Sequence, residues 1–372
     1  MIASVLKIVY NNMHVGFTEK ERKEGEDIQM KHRVKIASLL LGIIFLLSGC
    51  KIENIAYAAT INGEQVPIAE YRYVFENNKS YIAQKISSDG NVDWETATYE
   101  GKSAKEAVHD EAMKQITQLY IGAQKAQEAG IVPDNESNQY VRQYREQIIQ
   151  SAGSESQYNA YLKEIGTTDD AVKSIFEKNY LLSRLLEQYM QTDPDFQLTE
   201  EDYQTYFFDN YVKAKHILFR TVDDNRQPLD DTVVAEAEQN AKDTLAQLQG
   251  GADFDTLMNE LSEDPGLATN PNGYIFGHDM MDPPFEEAAY ALVPGEISNV
   301  VKGASGFHIL KRIELTEADY EEFKSQQIQQ NVTGADYLAN EALSTQFEQS
   351  LEEAASTVTI ERNESELNKI KF

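Results

Sequence analysis

The chain has 372 residues, 41% of them hydrophobic, and a formal net charge of −29 at pH 7. That length suggests two or three domains, and the apolar content is enough for a core. The acidity argues strongly against a nucleic-acid partner, since phosphates are gripped by clustered Lys and Arg, and the single cysteine, Cys50, excludes an intramolecular disulfide and any Cys-rich metal site.

In chain order, residues 1–29 are polar and mixed in charge. They read either as a misassigned start, with Met30 the true one, or as a cytoplasmic tail. Met30 to Lys35 is basic, and Ile36 to Leu47 is an apolar run. That run is too short for a transmembrane helix, which needs roughly 20 residues. A charged segment, a short apolar core and small residues have the layout of a signal peptide, here residues 30–49. The ending Leu47-Ser48-Gly49-Cys50 resembles a bacterial lipobox. The resemblance implies a lipid on Cys50, an anchor in the cell membrane and a location on its extracytoplasmic face. Two acyl chains hold stably where one is marginal. Residues 50–58 then form a tether.

Residues 59–210 are expected to be mainly helical. Asn62-Gly63 between short β-prone runs predicts a tight hairpin, and Pro67 suits the first turn of a helix. Ser103 to Glu106 has the form of a capping box opening a helix that ends near Gly130. Thr167 to Asp170 starts another helix, with Val172, Ile175, Phe176, Tyr180, Leu181 and Leu185 at helical spacing. Thr199 to Asp202 starts a shorter one carrying Tyr203, Tyr206, Phe207 and Tyr211. The aromatic stripes read as core packing first, and as a partly exposed peptide-binding surface second.

At Val212 the texture changes to a compact α+β unit, residues 211–314. A strand over Val212–Phe219 is followed by helices at about Asp231–Gln249 and Phe254–Leu261, then a loop-rich stretch. A short helix around Phe285–Leu292, a turn at Pro294-Gly295 and strands near Ile297–Val301 and Phe307–Ile313 complete it. Residues 315–372 read as helical to about Ser356 with a break at Gly334, then one short strand and a polar tail. The last segment is expected to pack on the N-terminal helical region, making the middle unit an insertion.

The sequence "HIL" occurs twice, at His216 and His308. Strand side chains alternate between faces, so Val212, Ala214, His216 and Leu218 share one face, as do Gly306, His308 and Leu310. If the two strands are neighbours, the imidazoles lie together. Metal binding would need a third ligand at a familiar spacing, which is missing. A nucleophile triad would need a Ser on a sharp turn, and neither Ser262 nor Ser305 has that setting. Taken singly, each histidine reads as a satisfied core residue.

Their company changes that reading. From Val212 to Glu314 the chain resembles the parvulin peptidyl-prolyl cis/trans isomerases. The resemblance rests on "KAKHILF", "GADFDTLMNELSED", "NGYIFG", "MMDPPFEEAAYALVPGEIS" and "SGFHILK" in that order. With the lipobox, the opening "ATINGEQV" and the helical return, the whole mature chain resembles a PrsA-type foldase lipoprotein. The resemblance implies an α+β parvulin domain, a small antiparallel sheet with surrounding helices, inserted in a mainly helical chaperone domain built from N- and C-terminal segments. It implies His216, Asp264, Ser305 and His308 as the catalytic group and Met281 and Phe285 as the substrate-binding pocket for a proline ring. It implies no metal and no cofactor. The partners would be unfolded secreted polypeptides with X-Pro bonds, with no nucleic acid, and a homodimer remains open. Gly303 departs from the pattern, standing where many members carry Thr. That leaves a non-catalytic holding chaperone as the alternative. The loop "RTVDDNRQPLDD" keeps Arg220 and Arg226 but adds four aspartates, which argues against phosphorylated substrates.

Overall fold

The computed structural model describes residues 56–87, 90–329 and 332–372. Cys50, the segments 1–29 and 30–49, and the first part of the expected tether lie outside the described residues. The chain divides into two compact units, one made of residues up to 197 together with 343–372, the other of residues 198–342. Residues 315–342, read from the sequence as part of the C-terminal segment, thus cluster with the middle of the chain.

Unit 1 opens with strands β1 (Tyr57–Ile61) and β2 (Glu64–Pro67). They are joined by Asn62 and Gly63 at φ 48° and 86°. Both central residues in the left-handed region define the turn that matches the strands' twist. Pro67 caps α1 (Ile68–Ile86) rather than sitting in its first turn. A small hairpin, β3 (Thr98–Tyr99) and β4 (Lys102–Ser103), precedes α2 (Ala104–Glu128), whose first turn is capped by the Ser103 hydroxyl accepting from Glu106 N at 3.3 Å. Helices α3 (Asn135–Ser151), α4 (Glu155–Ile165) and α5 (Asp169–Thr192) follow. Tyr71, Phe75, Val108, Ile116, Ile175 and Leu185 form the core with Phe347 and Leu351 from the returning chain. A Cβ on Gly122 of α2 would stand 2.7 Å from Leu182 of α5, so glycine permits that close approach. The C-terminal tail is more structured than a polar tail. Strand β11 (Ile360–Arg362) pairs antiparallel with β1, giving the sheet order β11-β1-β2. Phe372 packs edge-on to Phe75. Among the described residues no helix is long and apolar enough to cross a membrane.

Unit 2 begins with α6 (Glu200–Asn210), closed at its start by a capping box between Thr199 and Asp202. Its sheet has the order β6-β5-β8-β7, all neighbours antiparallel, from β5 (Val212–Arg220), β6 (Tyr274–Phe276), β7 (Val301–Lys302) and β8 (Gly306–Ile313). One face, with Ile217, Phe219, Phe307 and Ile309, packs on α7 (Asp231–Gln249) and α8 (Phe254–Leu261). The other face, with Val212, Ala214 and Leu310, packs on α9 (Pro283–Ala291) through Phe285 and Ala289. The strand expected near 297–301 is broken. Ser298 pairs with Leu310 through its backbone N and its side-chain hydroxyl, both at 2.9 Å, so the ladder there runs partly through a side chain.

Beyond β8 lie α10 (Glu317–Ser325), a ribbon of β9 (Gln327–Gln329) and β10 (Val332–Thr333), and α11 (Gly334–Ser356), which runs on into residues of unit 1. The ribbon replaces the break expected at Gly334. That glycine instead opens α11, because a Cβ there would collide with the Phe323 carbonyl. Short α12 (Glu364–Leu367) ends the chain's regular structure.

Candidate active site

The register of β5 on β8 sets His216 opposite Leu310 and His308 opposite Leu218, so the two histidines are diagonal neighbours on one face. Their Nδ1 atoms lie 3.0 Å apart, and their rings are nearly parallel at 21°. Both are buried, at 7% and 6% exposure. Phe285 from α9 stands edge-on against both, with ring centroids 5.2 Å from His216 and 5.3 Å from His308. Met281 is half-buried against the same apolar cluster.

Asp264 reaches the pair because its segment docks along the open edge of β5. Leu218 N donates to the Ser262 hydroxyl at 3.1 Å, and Glu263 N donates to the Leu218 carbonyl at 2.8 Å. Asp264 Oδ2 then sits 3.0 Å from His216 Nε2 and accepts from the Tyr274 hydroxyl at 2.7 Å, while Oδ1 accepts from Gly266 N at 3.0 Å. Burial alone would raise this carboxyl. The hydrogen bonds from His216, Tyr274 and the Gly266 amide outweigh it and hold the pKa at about 2. Burial, and next the neighbouring His216, push His308 down to about 3. Burial and the Asp264 carboxylate push the Tyr274 hydroxyl upward.

With both rings neutral, the contacts to the carboxylate assign the protons. The ionised Asp264 accepts a hydrogen bond from His216 Nε2–H, which leaves His216 Nδ1 as an acceptor for His308 Nδ1–H. His308 Nε2 is then a bare lone pair, and among the described residues it makes no hydrogen bond.

The structure therefore gathers His216, His308, Asp264 and Phe285, with Met281 beside them. Ser305 is not gathered. It is exposed at the tip of the β7–β8 hairpin, where its carbonyl accepts from Thr221 N at 3.0 Å. Tyr274 belongs to the network but was missed in the sequence. Its one signal was its place in "NGYIFG", whose Gly273 at φ 96° leads into β6. His278 lies outside the group, stacked on Tyr290 at 4.1 Å. Among the described residues no cluster of three or more His, Cys, Asp or Glu is arranged to hold a metal ion.

Residues 198–316 match the family described as the PPIC-type PPIASE domain. A foldase protein PrsA from Caldanaerobacter subterraneus is 29% identical over 308 residues, covering 78% of this chain and 86% of that protein. A foldase protein PrsA from Geobacillus kaustophilus is 38% identical over 121 residues, covering 32% of this chain and 37% of that protein. The crystal structure of PrsA from Bacillus cereus matches over 74% of this chain and 93% of that one, at 21% identity and a TM-score of 0.28. Residues 198–316 are thus a PPIC-type parvulin peptidyl-prolyl isomerase domain, in a chain that over most of its length is similar to PrsA foldases.

Proposed function

We propose that this isomerase acts on unfolded secreted polypeptides at the extracytoplasmic face of the cell membrane, tethered through a lipid on Cys50, and assists their folding after export. The anchor rests on the basic start, the apolar run and "LSGC". The need is physical. Uncatalysed prolyl isomerisation takes tens to hundreds of seconds, over a barrier of roughly 18–20 kcal/mol. Chains waiting that long expose apolar surface and aggregate.

The observation that carries the catalytic assignment is the buried His216–His308 pair, tied to Asp264 and roofed by Phe285. Twisting an amide removes its resonance and makes its carbonyl less polar, so a dry apolar wall favours the twisted state over the planar one. In this reading Phe285 and Met281 grip the proline ring while the preceding residue rotates. The histidine pair and Asp264 form the floor, and hydrogen bonds along Asp264, His216 and His308 Nδ1 hold it in place, so the site needs little rearrangement as the bond twists. Ser305 supplies a hydroxyl at the rim. No covalent bond forms.

A protease-coupled assay with Ala-Pro and Glu-Pro peptides tests this on the full chain. The parent accelerates isomerisation, and His216→Ala and Phe285→Ala each lower kcat/KM by at least about tenfold. A parent without acceleration sinks the activity, and unchanged rates in both variants sink the site. Cys50→Ser is expected to release the protein or leave an unprocessed precursor. A normally processed, membrane-held variant would remove the anchor.

A further inference from the structure

Asp282 stands at the N-cap of α9, where an aspartate ordinarily accepts from the amide at the second or third helical position. Here its side chain makes no such bond. Pro284 at the second position has no N–H to offer, and the Phe285 amide at the third is not used by this side chain. Asp282 Oδ2 instead reaches 22 residues along the chain and accepts from Ala304 N at 3.0 Å, at the tip of the β7–β8 hairpin.

Gly303 is what leaves room for it. A Cβ at that position would lie 2.7 Å from Asp282 Oδ2 and 3.1 Å from His308 Nε2. Gly303 is not among the glycines with positive φ, so its backbone does not require glycine. The missing side chain at 303 and the misdirected cap at 282 are two halves of one arrangement.

We propose that Asp282 is a positioning residue that latches the lip of the proline pocket, carrying Met281 and Phe285, to the hairpin carrying Ser305 and His308. Gly303 serves this latch by its lack of a side chain. The proposal rests on the isomerase site described above. Asp282 acts through the Ala304 backbone and touches no substrate. It joins the two walls on which the gripping and polar groups stand, and a wall left loose by a fraction of an ångström lowers the rate without removing any catalytic group.

The test uses the full chain, the protease-coupled assay and amide exchange at Ala304 by NMR. Asp282→Ala is expected to lower kcat/KM about three- to tenfold, part of the worth of one hydrogen bond because Ala304 is exposed to water, and to speed Ala304 exchange. Asp282→Asn keeps a carbonyl oxygen that accepts from Ala304, so it restores most of the rate and the protection. Gly303→Ala pushes the carboxylate away and also crowds His308 Nε2, so it loses at least as much as Asp282→Ala, and the double variant loses no more than Gly303→Ala alone. Parent-like rate and exchange in Asp282→Ala overturn the latch, as do fully additive losses in the double variant. An Asp282→Asn as poor as Asp282→Ala also overturns it, assigning the effect to charge. If the parent itself fails to accelerate isomerisation, the isomerase reading falls separately. Ala304 exchange then decides the latch alone: faster exchange in Asp282→Ala keeps it and unchanged exchange removes it.

Discussion

Asp264→Asn is the sharpest probe of the hydrogen-bonded floor, because it changes charge and proton inventory at nearly constant shape. The parent carboxylate receives three donors, from His216, Tyr274 and the Gly266 amide. Its pKa falls from 3.8 to about 2 against the opposing effect of burial, so the three donors favour the ionised form. An asparagine offers one oxygen and one NH2. If the NH2 faces Gly266 N–H, two donors oppose each other in a half-buried site, costing about 1–3 kcal/mol. If it faces His216, the ring must turn its Nε2 lone pair toward the amide and move its proton to Nδ1. That proton then points at His308 Nδ1, 3.0 Å away, and drives the His308 proton out to Nε2. Thermal unfolding reads the first outcome as a lower midpoint of the unit 2 transition, by roughly 3–10 °C. Nitrogen-15 spectra of the imidazoles read the second as exchanged tautomers at both rings. An unchanged midpoint with unchanged tautomers would refute the proton assignment along Asp264, His216 and His308.

Two further outcomes follow from burial. His308 is held near 3 rather than 6.5 by burial and by His216. Between those values the unfolded chain binds a proton that the folded chain refuses, so stability falls as pH drops from about 6.5 toward 3. The Asp264 contribution is present above about 4 and is lost in the same direction as pH falls through about 2. The unit 2 midpoint should therefore decline steadily with acid, and His308→Leu should flatten the decline between pH 6.5 and 4; an equally steep His308→Leu curve would contradict this. In unit 1, Gly122→Ala brings a methyl to 2.7 Å from Leu182 and is expected to cost about 1–3 kcal/mol by denaturant unfolding, whereas unchanged stability would mean that α2 and α5 separate freely.

Where the sequence carries punctuation, it foretells the structure closely. Helices α7 and α8 span the expected Asp231–Gln249 and Phe254–Leu261, and Asn62-Gly63 makes the expected hairpin. The shared face of His216 and His308 follows from the period of two once β5 and β8 pair. Long-range partners were not legible. Nothing local in "TIERN" says that it pairs with β1, and nothing in Tyr274 says that its hydroxyl ends on Asp264, since both depend on where distant chain is brought. Gly334 shows the limit of a residue rule: it reads as a break, yet its role is to let the Phe323 carbonyl come close. Gly303 likewise reads as a loss relative to the family pattern, and only the neighbouring carboxylate gives it a purpose.

The pairing of β11 with β1 also governs the order in which the protein can be completed. The Asn363 side chain donates to the Tyr57 carbonyl across 306 residues, and β1 is the central strand of its sheet. Until the last residues of the chain emerge, β1 is an edge with one side unpaired, and the Phe347 and Leu351 places in the core are empty. Unit 2 is continuous in sequence and depends on no such late arrival. During vectorial synthesis the catalytic unit can therefore fold first, while unit 1 waits for the C-terminal segment, so a nascent or truncated chain carries a finished isomerase domain beside an unfinished stretch of sequence.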